Sequence, residues 1–579
     1  MGALGDIKVA KDRKELARLL GYKPSALTAI VYKTPTESKY TEFDIPKKSG
    51  GVRKIKAPTL KLKKLQSHLA HFLYRCLYEI EQDRKTNVVS FGFRKSKSIT
   101  NNARQHKKRR YVLNLDLKDF FPSFNFGRVR GYFLKDRNFE LNEEVATTLA
   151  QIACDGVALP QGSPCSPVIS ELIGQILDIR LLRLAKKHGV RYSRYADDIT
   201  FSTNQKNFPQ AIAKQESINP EVWYLGDELI NKIKNSGFEI NAAKTRMSYR
   251  TSRQTVTGLV VNQKVNVKSD YYRKARAMCH SLFETGQYFS STTLNKESEK
   301  PEPDLTSDLN RLEGILNHIY RVTKTKEKHN MQDQCQHPRV VRTLYRPFLF
   351  YKNCIALDKP LIITEGKTDP IYLANAIKFS PKFQPALGKS GENGFEYNLR
   401  FFNYENKSHD IMGLGGGSGD LKSIPLDYQR NLLGSGKPKR SVFSHKPMKF
   451  PVILVLDNDG GLDGVASTIS SIFKIKISKD TRDDFYHIYE NLYMVKVLEG
   501  DKDTCIEHLF NRKLLETEIK GKKFELVNEG DVQKGYSKEV FAKQIVAKKA
   551  DEIDFSGFEP LLERLQKAIE DYANSKKTT

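Results

Sequence analysis

The sequence predicts a multidomain protein: an α+β N-terminal region followed by an α/β domain built on a parallel sheet. Three observations predict it. The chain has 579 residues, too many for one core, which points to two to four domains. Its first half mixes helical stretches with short β-rich runs that carry acids, "YVLNLDLKDFF" (111–121) and "RYADDITFS" (194–202). Beyond residue 350, "KPLIITEG" and "FPVILVLDNDGG" are unbroken apolar runs that end in acids and glycine, among helix-like segments such as "FEPLLERLQKAIEDYANS" (558–575). That alternation suits buried parallel strands with functional groups at their carboxyl ends.

Composition narrows the function. The formal charge is +28, with basic clusters "KLKKL" (61–65) and "KKRR" (107–110). Such a surplus implies a polyanionic partner, because lysines and arginines that neutralise phosphates release condensed counterions. No apolar run approaches the roughly 18–20 residues of a membrane span, and "MGALGDIKVAKDRKELARLL" has no signal-type core, so a cytoplasmic protein is expected. Seven cysteines without a CxxC pair suit reduced thiols and argue against a zinc ribbon. "SSTTLNKESEKPEPDLTSD" (290–308) reads as a polar linker, and Leu309, Leu312, Leu316 and Ile319 then recur at helical spacing.

Three segments of the first half form one constellation. The 111–121 run delivers Asp116. "LPQGSPCSP" (159–167) is a loop leading into a helix, and "RYADDITFS" supplies Asp197 and Asp198 at the tip of a hairpin. Adjacent carboxylates repel one another unless a cation lies between them. Oxygen ligands of this kind suit Mg²⁺, and two such ions can activate a hydroxyl and stabilise a departing pyrophosphate.

This constellation resembles the palm of reverse transcriptases. The resemblance implies an α+β right-hand polymerase, with fingers and an RNA-binding region at 1–110, palm at 111–262 and thumb at 263–350. It implies that Asp116, Asp197 and Asp198 hold two Mg²⁺ (or Mn²⁺) ions, and that Phe121 is the steric gate selecting dNTPs. Gln161 and Gly162 would line the nucleotide pocket. Arg53 in "GGVRKIKAP" would meet the triphosphate, and Lys244 in "NAAKTRM" the leaving pyrophosphate. "NNARQH", with Asn102 and His106 four residues apart, and Val256-Thr257-Gly258 resemble the retron branch of these enzymes, where both regions help recognise a structured RNA. A retron enzyme uses a dedicated noncoding RNA as primer and template, starts at a guanosine 2′-OH, and leaves a branched RNA–DNA product (msDNA). No further acidic constellation within 1–350 suggests an RNase H domain, so a host RNase H would remove the template.

The tail, 351–579, holds "IITEGKTDPIYL", "MGLGGGSGDL" and "ILVLDNDGG". Glu365 ends one strand, Asp457 and Asp459 another. This resembles a toprim domain, the α/β module of topoisomerases, primases and some nucleases. The details favour a Mg²⁺-dependent nuclease: Asp369, four residues after Glu365, adds a carboxylate to a two-metal set. Glu507 is a candidate late ligand or an ordinary surface acid. Gly415–Gly417 either let backbone N–H groups approach a phosphate or form a flexible loop. His68 and His71 read as packing residues, and "QCQH" (334–337) has too few ligands for zinc.

The combined expectation is a reverse transcriptase that makes msDNA, fused to a toprim nuclease acting on DNA or RNA as an antiphage effector. The effector would be restrained by the protein's own product, an arrangement compatible with a homo-oligomer. The alternatives are a toprim domain that trims the protein's own nucleic acid, or one that only scaffolds it.

Overall fold

The computed structural model describes residues 2–47, 50–84, 89–216, 222–294, 301–324, 341–392, 394–434, 440–498, 503–519, 521–524 and 535–577. The chain forms two compact units, Met1–Lys268 and Ser269–Thr579.

In the first unit, β1 (Tyr40–Pro46) and β2 (Val52–Pro58) pair as an antiparallel hairpin. The central strand is β3 (Tyr111–Lys118), with Leu113, Leu115 and Leu117 buried. It pairs antiparallel with β5 (Asp198–Thr203), which pairs in turn with β4 (Arg191–Tyr195). Glu239–Ile240 and Arg246–Tyr249 also pair with β3. A helix, Ser166–Lys187, starts within the Ser-Pro pair of the "SPCSP" loop, where the proline costs no hydrogen bond. It buries Val168, Leu172, Leu177 and Leu181 in the same core as Ile199 and Phe201.

The second unit contains a five-stranded sheet ordered β7-β6-β8-β10-β9: β6 is Leu361–Thr364, β7 Arg400–Phe401, β8 Val452–Leu456, β9 Tyr486–Tyr489 and β10 Leu492–Lys496. β6, β7, β8 and β10 run parallel; β9 is antiparallel to β10. The sheet is therefore mixed rather than wholly parallel. The turn at Glu490–Asn491 is too short for a crossover, so β9 and β10 must form a hairpin. β6 and β8 are buried throughout, as their apolar runs require.

The 290–308 segment is not simply a linker. Tyr288–Leu294 and Pro301–Thr306 pair antiparallel, with Phe289 opposite Leu305 and both exposed. One face packs on the protein through Tyr288 and Ser290, which are buried, while the other is open to solvent; its mostly polar composition imitates a linker. The helix after it, Leu309–Thr323, is as expected: Asp308 caps it, and Leu312, Leu316 and Ile319 are buried. "QCQH" lies outside the described residues. Among the described residues no helix is long and apolar enough to cross a membrane.

Candidate active sites

The first site sits at the end of the β3–β5 pair. Register puts Asp116 directly opposite Asp198. Asp197 lies in the turn between β4 and β5, its carbonyl accepting from Leu117 N–H at 3.0 Å. Burial and the nearby Asp116 raise Asp197, while Lys244 and Arg53 oppose the shift. Asp198 is exposed as a residue, yet protein packed around its carboxyl, then Asp197 and Asp116, push it up to about 7. Asp197 and Asp198 thus share one small volume with Asp116 and resist ionisation. Lys244 Nζ lies 3.0 Å from both oxygens of Asp116, supplying positive charge there. Asn241 grips Asp116 twice: its backbone N–H donates to the Asp116 carbonyl at 2.8 Å, its amide to Oδ1 at 3.2 Å.

Other expected site residues surround this centre. Lys56 N–H of β2 donates to the Gln161 carbonyl at 2.8 Å, tying the loop to the hairpin that carries exposed Arg53. Gly162 has φ +124°, and a Cβ there would lie 2.7 Å from the Lys56 carbonyl oxygen, so no other residue fits without shifting β2. Phe121 is half-buried, its ring against Phe120 and Phe93.

Asn102 and His106 require a correction. Both are 0% exposed, so neither side chain is open to an RNA. Ser193 donates to Asn102 Oδ1 at 2.5 Å, so it accepts from His106 Nε2–H at 2.7 Å, leaving Nδ1 to accept from Ser202, also at 2.7 Å. Burial, helped by Arg109 and Arg191, lowers His106 to about 3 and keeps it neutral. The pair pins the Ile99–Arg104 helix to β4 and β5, the strands flanking Asp197. His106→Ala leaves two buried hydroxyls short of a partner and should cost about 2–4 kcal/mol, read by urea unfolding without nucleic acid; a residue that only touched RNA would leave that curve unchanged.

Val256 is buried, whereas Thr257 and Gly258 form the two-residue turn of a small hairpin at φ +46° and +80°, the signs of a type I′ turn. Thr257 Oγ1 donates to the Ile99 carbonyl at 3.3 Å, bringing the two expected RNA-recognition segments side by side.

The second site lies at the carboxyl ends of β6 and β8. Glu365 follows β6, and Asp457 N–H donates to its Oε2 at 3.4 Å. Asp369, at the first position of the Asp369–Phe379 helix, accepts from Gly366 N–H at 2.7 Å. Asp457 accepts from Ile506 N–H at 3.0 Å. Asp459 accepts from Gly461 N–H at 2.7 Å. Glu507 is 0% exposed, which excludes the surface-acid reading; Lys538 Nζ donates to its Oε2 at 3.0 Å, and its Oε1 has no partner among the described residues. Burial first, then Asp369, Glu365 and Glu507, push Asp457 up to about 9. Burial and Glu507 push Asp369 up to about 6, and burial with Asp459 raises Glu365. The glycine loop abuts the cluster: Gly417 N–H donates to the Glu365 carbonyl at 2.7 Å. Lys538, alone in "GYSKEV", carried no sequence signal because only the fold brings it here.

Among the described residues no three His, Cys, Asp or Glu side chains are already closed into a metal-binding group. Both clusters nevertheless have donor chemistry that fits Mg²⁺: oxygen-only, crowded with like charge, and countered by one lysine each.

The family model "Reverse transcriptase (RNA-dependent DNA polymerase)" matches residues 45–268, ending where the first unit ends. The retron Ec86 reverse transcriptase of Escherichia coli is 32% identical over 280 residues, covering 48% of this chain and 80% of the relative. The chain belongs to the retron reverse transcriptase family. The retron Mx65 reverse transcriptase of Myxococcus xanthus is 33% identical over 294 residues, which spans 47% of this chain and 64% of that relative. A solved Candida albicans telomerase in complex with a fragment of telomeric RNA shares 11% identity, with a TM-score of 0.28 over 55% of this chain and 60% of that one; nothing rests on so weak a likeness.

Proposed function

We propose that this retron family member is an RNA-directed DNA polymerase that uses a structured noncoding RNA as primer and template and builds msDNA from dNTPs. The observation that carries the reading is Asp116 facing Asp198, with Asp197 in the adjoining turn and Lys244 alongside. Mg²⁺, when bound, supplies activation of the attacking hydroxyl and charge neutralisation at the departing pyrophosphate. The chain's own groups do the positioning. Asp116, Asp197 and Asp198 would hold the ions, and Arg53 would meet the triphosphate. Lys244 stands where negative charge leaves, and Gln161–Gly162 shape the nucleotide floor. In this scheme fingers, palm and thumb follow 1–110, 111–262 and 263–350, the family's arrangement. A host RNase H would clear the template in the bacterial cytoplasm.

Phe121 in this reading excludes a ribose 2′-OH. Phe121→Val should raise ribonucleotide incorporation relative to dNTPs by about tenfold or more, the range one missing steric contact commands. Single-nucleotide extension measures it; unchanged discrimination would remove Phe121 from that role.

The second unit, in our reading, carries a toprim-type metal-dependent nuclease, with Glu365, Asp369, Asp457, Asp459 and Glu507 as ligand candidates and Lys538 as their counter-charge. The supporting observation is their convergence at the ends of adjacent parallel strands. Its role would be antiphage defence, restrained by bound msDNA. Cleavage of labelled DNA and RNA by the full chain with Mg²⁺ or Mn²⁺ tests it, and the absence of cleavage on either would leave a scaffold.

A further inference from the structure

The turn that presents Asp197 and Asp198 is held in an unfavourable backbone shape. Ala196, between Tyr195 and Asp197, has φ +56°, a conformation that costs an alanine free energy and persists only when its surroundings impose it. One neighbour is Gly92, whose missing side chain lets the chain pass close: a Cβ there would lie 2.5 Å from Ala196 N and 3.2 Å from its Cα. The other is Arg194. Its Nη1 donates to the Ala196 carbonyl at 3.1 Å and to Glu171 Oε1 at 2.9 Å, and its Nε and Nη2 fork onto the two oxygens of Asp178 at 2.8 Å each. The guanidinium is wholly buried, and it lies against Gly174, where any side chain would strike it. Burial disfavours its charge, and Asp178 and Glu171 more than offset that.

The network continues on the far side. Glu171 Oε2 accepts from Ser90 at 2.5 Å and from Arg94 at 3.0 Å, and Arg194's own backbone bonds to Val89 and Phe91. An arginine serves here because its planar fork satisfies a bidentate carboxylate, a second carboxylate and a carbonyl at once. A lysine ammonium has three donors and no fixed plane, and cannot reach all three. A buried ion network of this cost is weak evidence for stability, which makes a positional role the better account.

We propose that Arg194 is a positioning residue for DNA synthesis: held by Asp178 and Glu171, it clamps the Ala196 carbonyl and so fixes the left-handed turn that aims Asp197 and Asp198 at the reacting phosphate. This rests on the polymerase reading of the same site. Small displacements of such groups are costly, since a misplacement of about 1 Å can lower a rate by about a hundredfold.

The test uses the full chain with its copurifying RNA and two variants, Arg194→Lys and Gly92→Ala. The second disturbs the Ala196 backbone at its N and Cα and alters none of the buried charged side chains. We expect DNA synthesis to fall at least about tenfold in kcat, with KM for dNTPs within about threefold, because nucleotide contacts are intact. Hydrogen exchange should accelerate about tenfold or more at the Tyr195–Asp197 amides and stay unchanged across the Glu143–Ala153 helix. Should Arg194→Lys fail to fold, Gly92→Ala decides alone. An active wild type whose variants match it in kcat and local exchange overturns the inference. So does a loss of activity that merely tracks faster exchange throughout the unit. A wild type that makes no DNA overturns the polymerase reading instead.

Discussion

Asp198→Asn should stop DNA synthesis, lowering the rate by at least about a thousandfold, or roughly 4 kcal/mol of transition-state stabilisation. Asp116, Asp197 and Asp198 crowd one volume, and only their combined charge suits two divalent ions. An amide keeps the shape and removes the charge. The same crowding predicts an opposite effect on stability. Asp198 is raised to about 7 in the fold, against an ordinary carboxylate near 4. Its contribution to metal-free stability is present below the ordinary value and is lost as pH rises through about 7. The asparagine variant escapes that loss, so its thermal midpoint relative to wild type should climb between pH 4 and pH 8 without metal. A variant that is inactive and globally destabilised at every pH would mean that Asp198 is structural. Activity retained within tenfold would remove it from the metal set.

The second large effect belongs to Asp457. Pushed up to about 9, it is mostly protonated at neutral pH without a divalent ion. Metal-free stability should therefore decline as pH rises from about 4 towards 9, and Asp457→Asn should flatten that decline. Mg²⁺ or Mn²⁺, which needs the ionised form, should raise the wild-type thermal midpoint more at pH 8 than at pH 5 and release protons on binding. In parallel, Asp457→Asn should lower metal-dependent nucleic-acid cleavage at least about a thousandfold while DNA synthesis continues. An altered msDNA length in this variant would instead favour a nuclease that trims the protein's own product. A wild type with flat pH dependence and no cleavage would leave this unit a scaffold.

Much of this architecture was legible because local rules and tertiary demands agree. β3 and the Asp197–Asp198 hairpin are short β-rich runs with acids at their ends, and β6 and β8 are mostly apolar and buried throughout because parallel strands are covered on both faces. Legibility failed where a residue's partner is distant in sequence. Asn102 and His106 have the spacing of an exposed helix face, yet their hydroxyl partners lie about ninety residues away and bury them. Glu507 looks like a surface acid, yet the fold buries it, pairs it with Lys538 and brings it near enough to Asp457 to raise that carboxyl. Arg194 stands in plain view beside the aspartates, but its meaning depends on Glu171, Asp178 and the φ of Ala196. The 290–308 hairpin was hidden by composition, since polar strands resemble a linker.

The central claim is that this chain builds DNA on an RNA it carries, and the nucleic acid that copurifies with it tests that claim most directly. Wild type and Asp198→Asn should be purified from cells expressing the neighbouring locus, and their bound nucleic acid sequenced and assayed for a 2′–5′ branch. Wild type should carry DNA joined to a structured RNA, and the variant that RNA alone. The same RNA-linked DNA on the variant, or no discrete RNA on either protein, would contradict it.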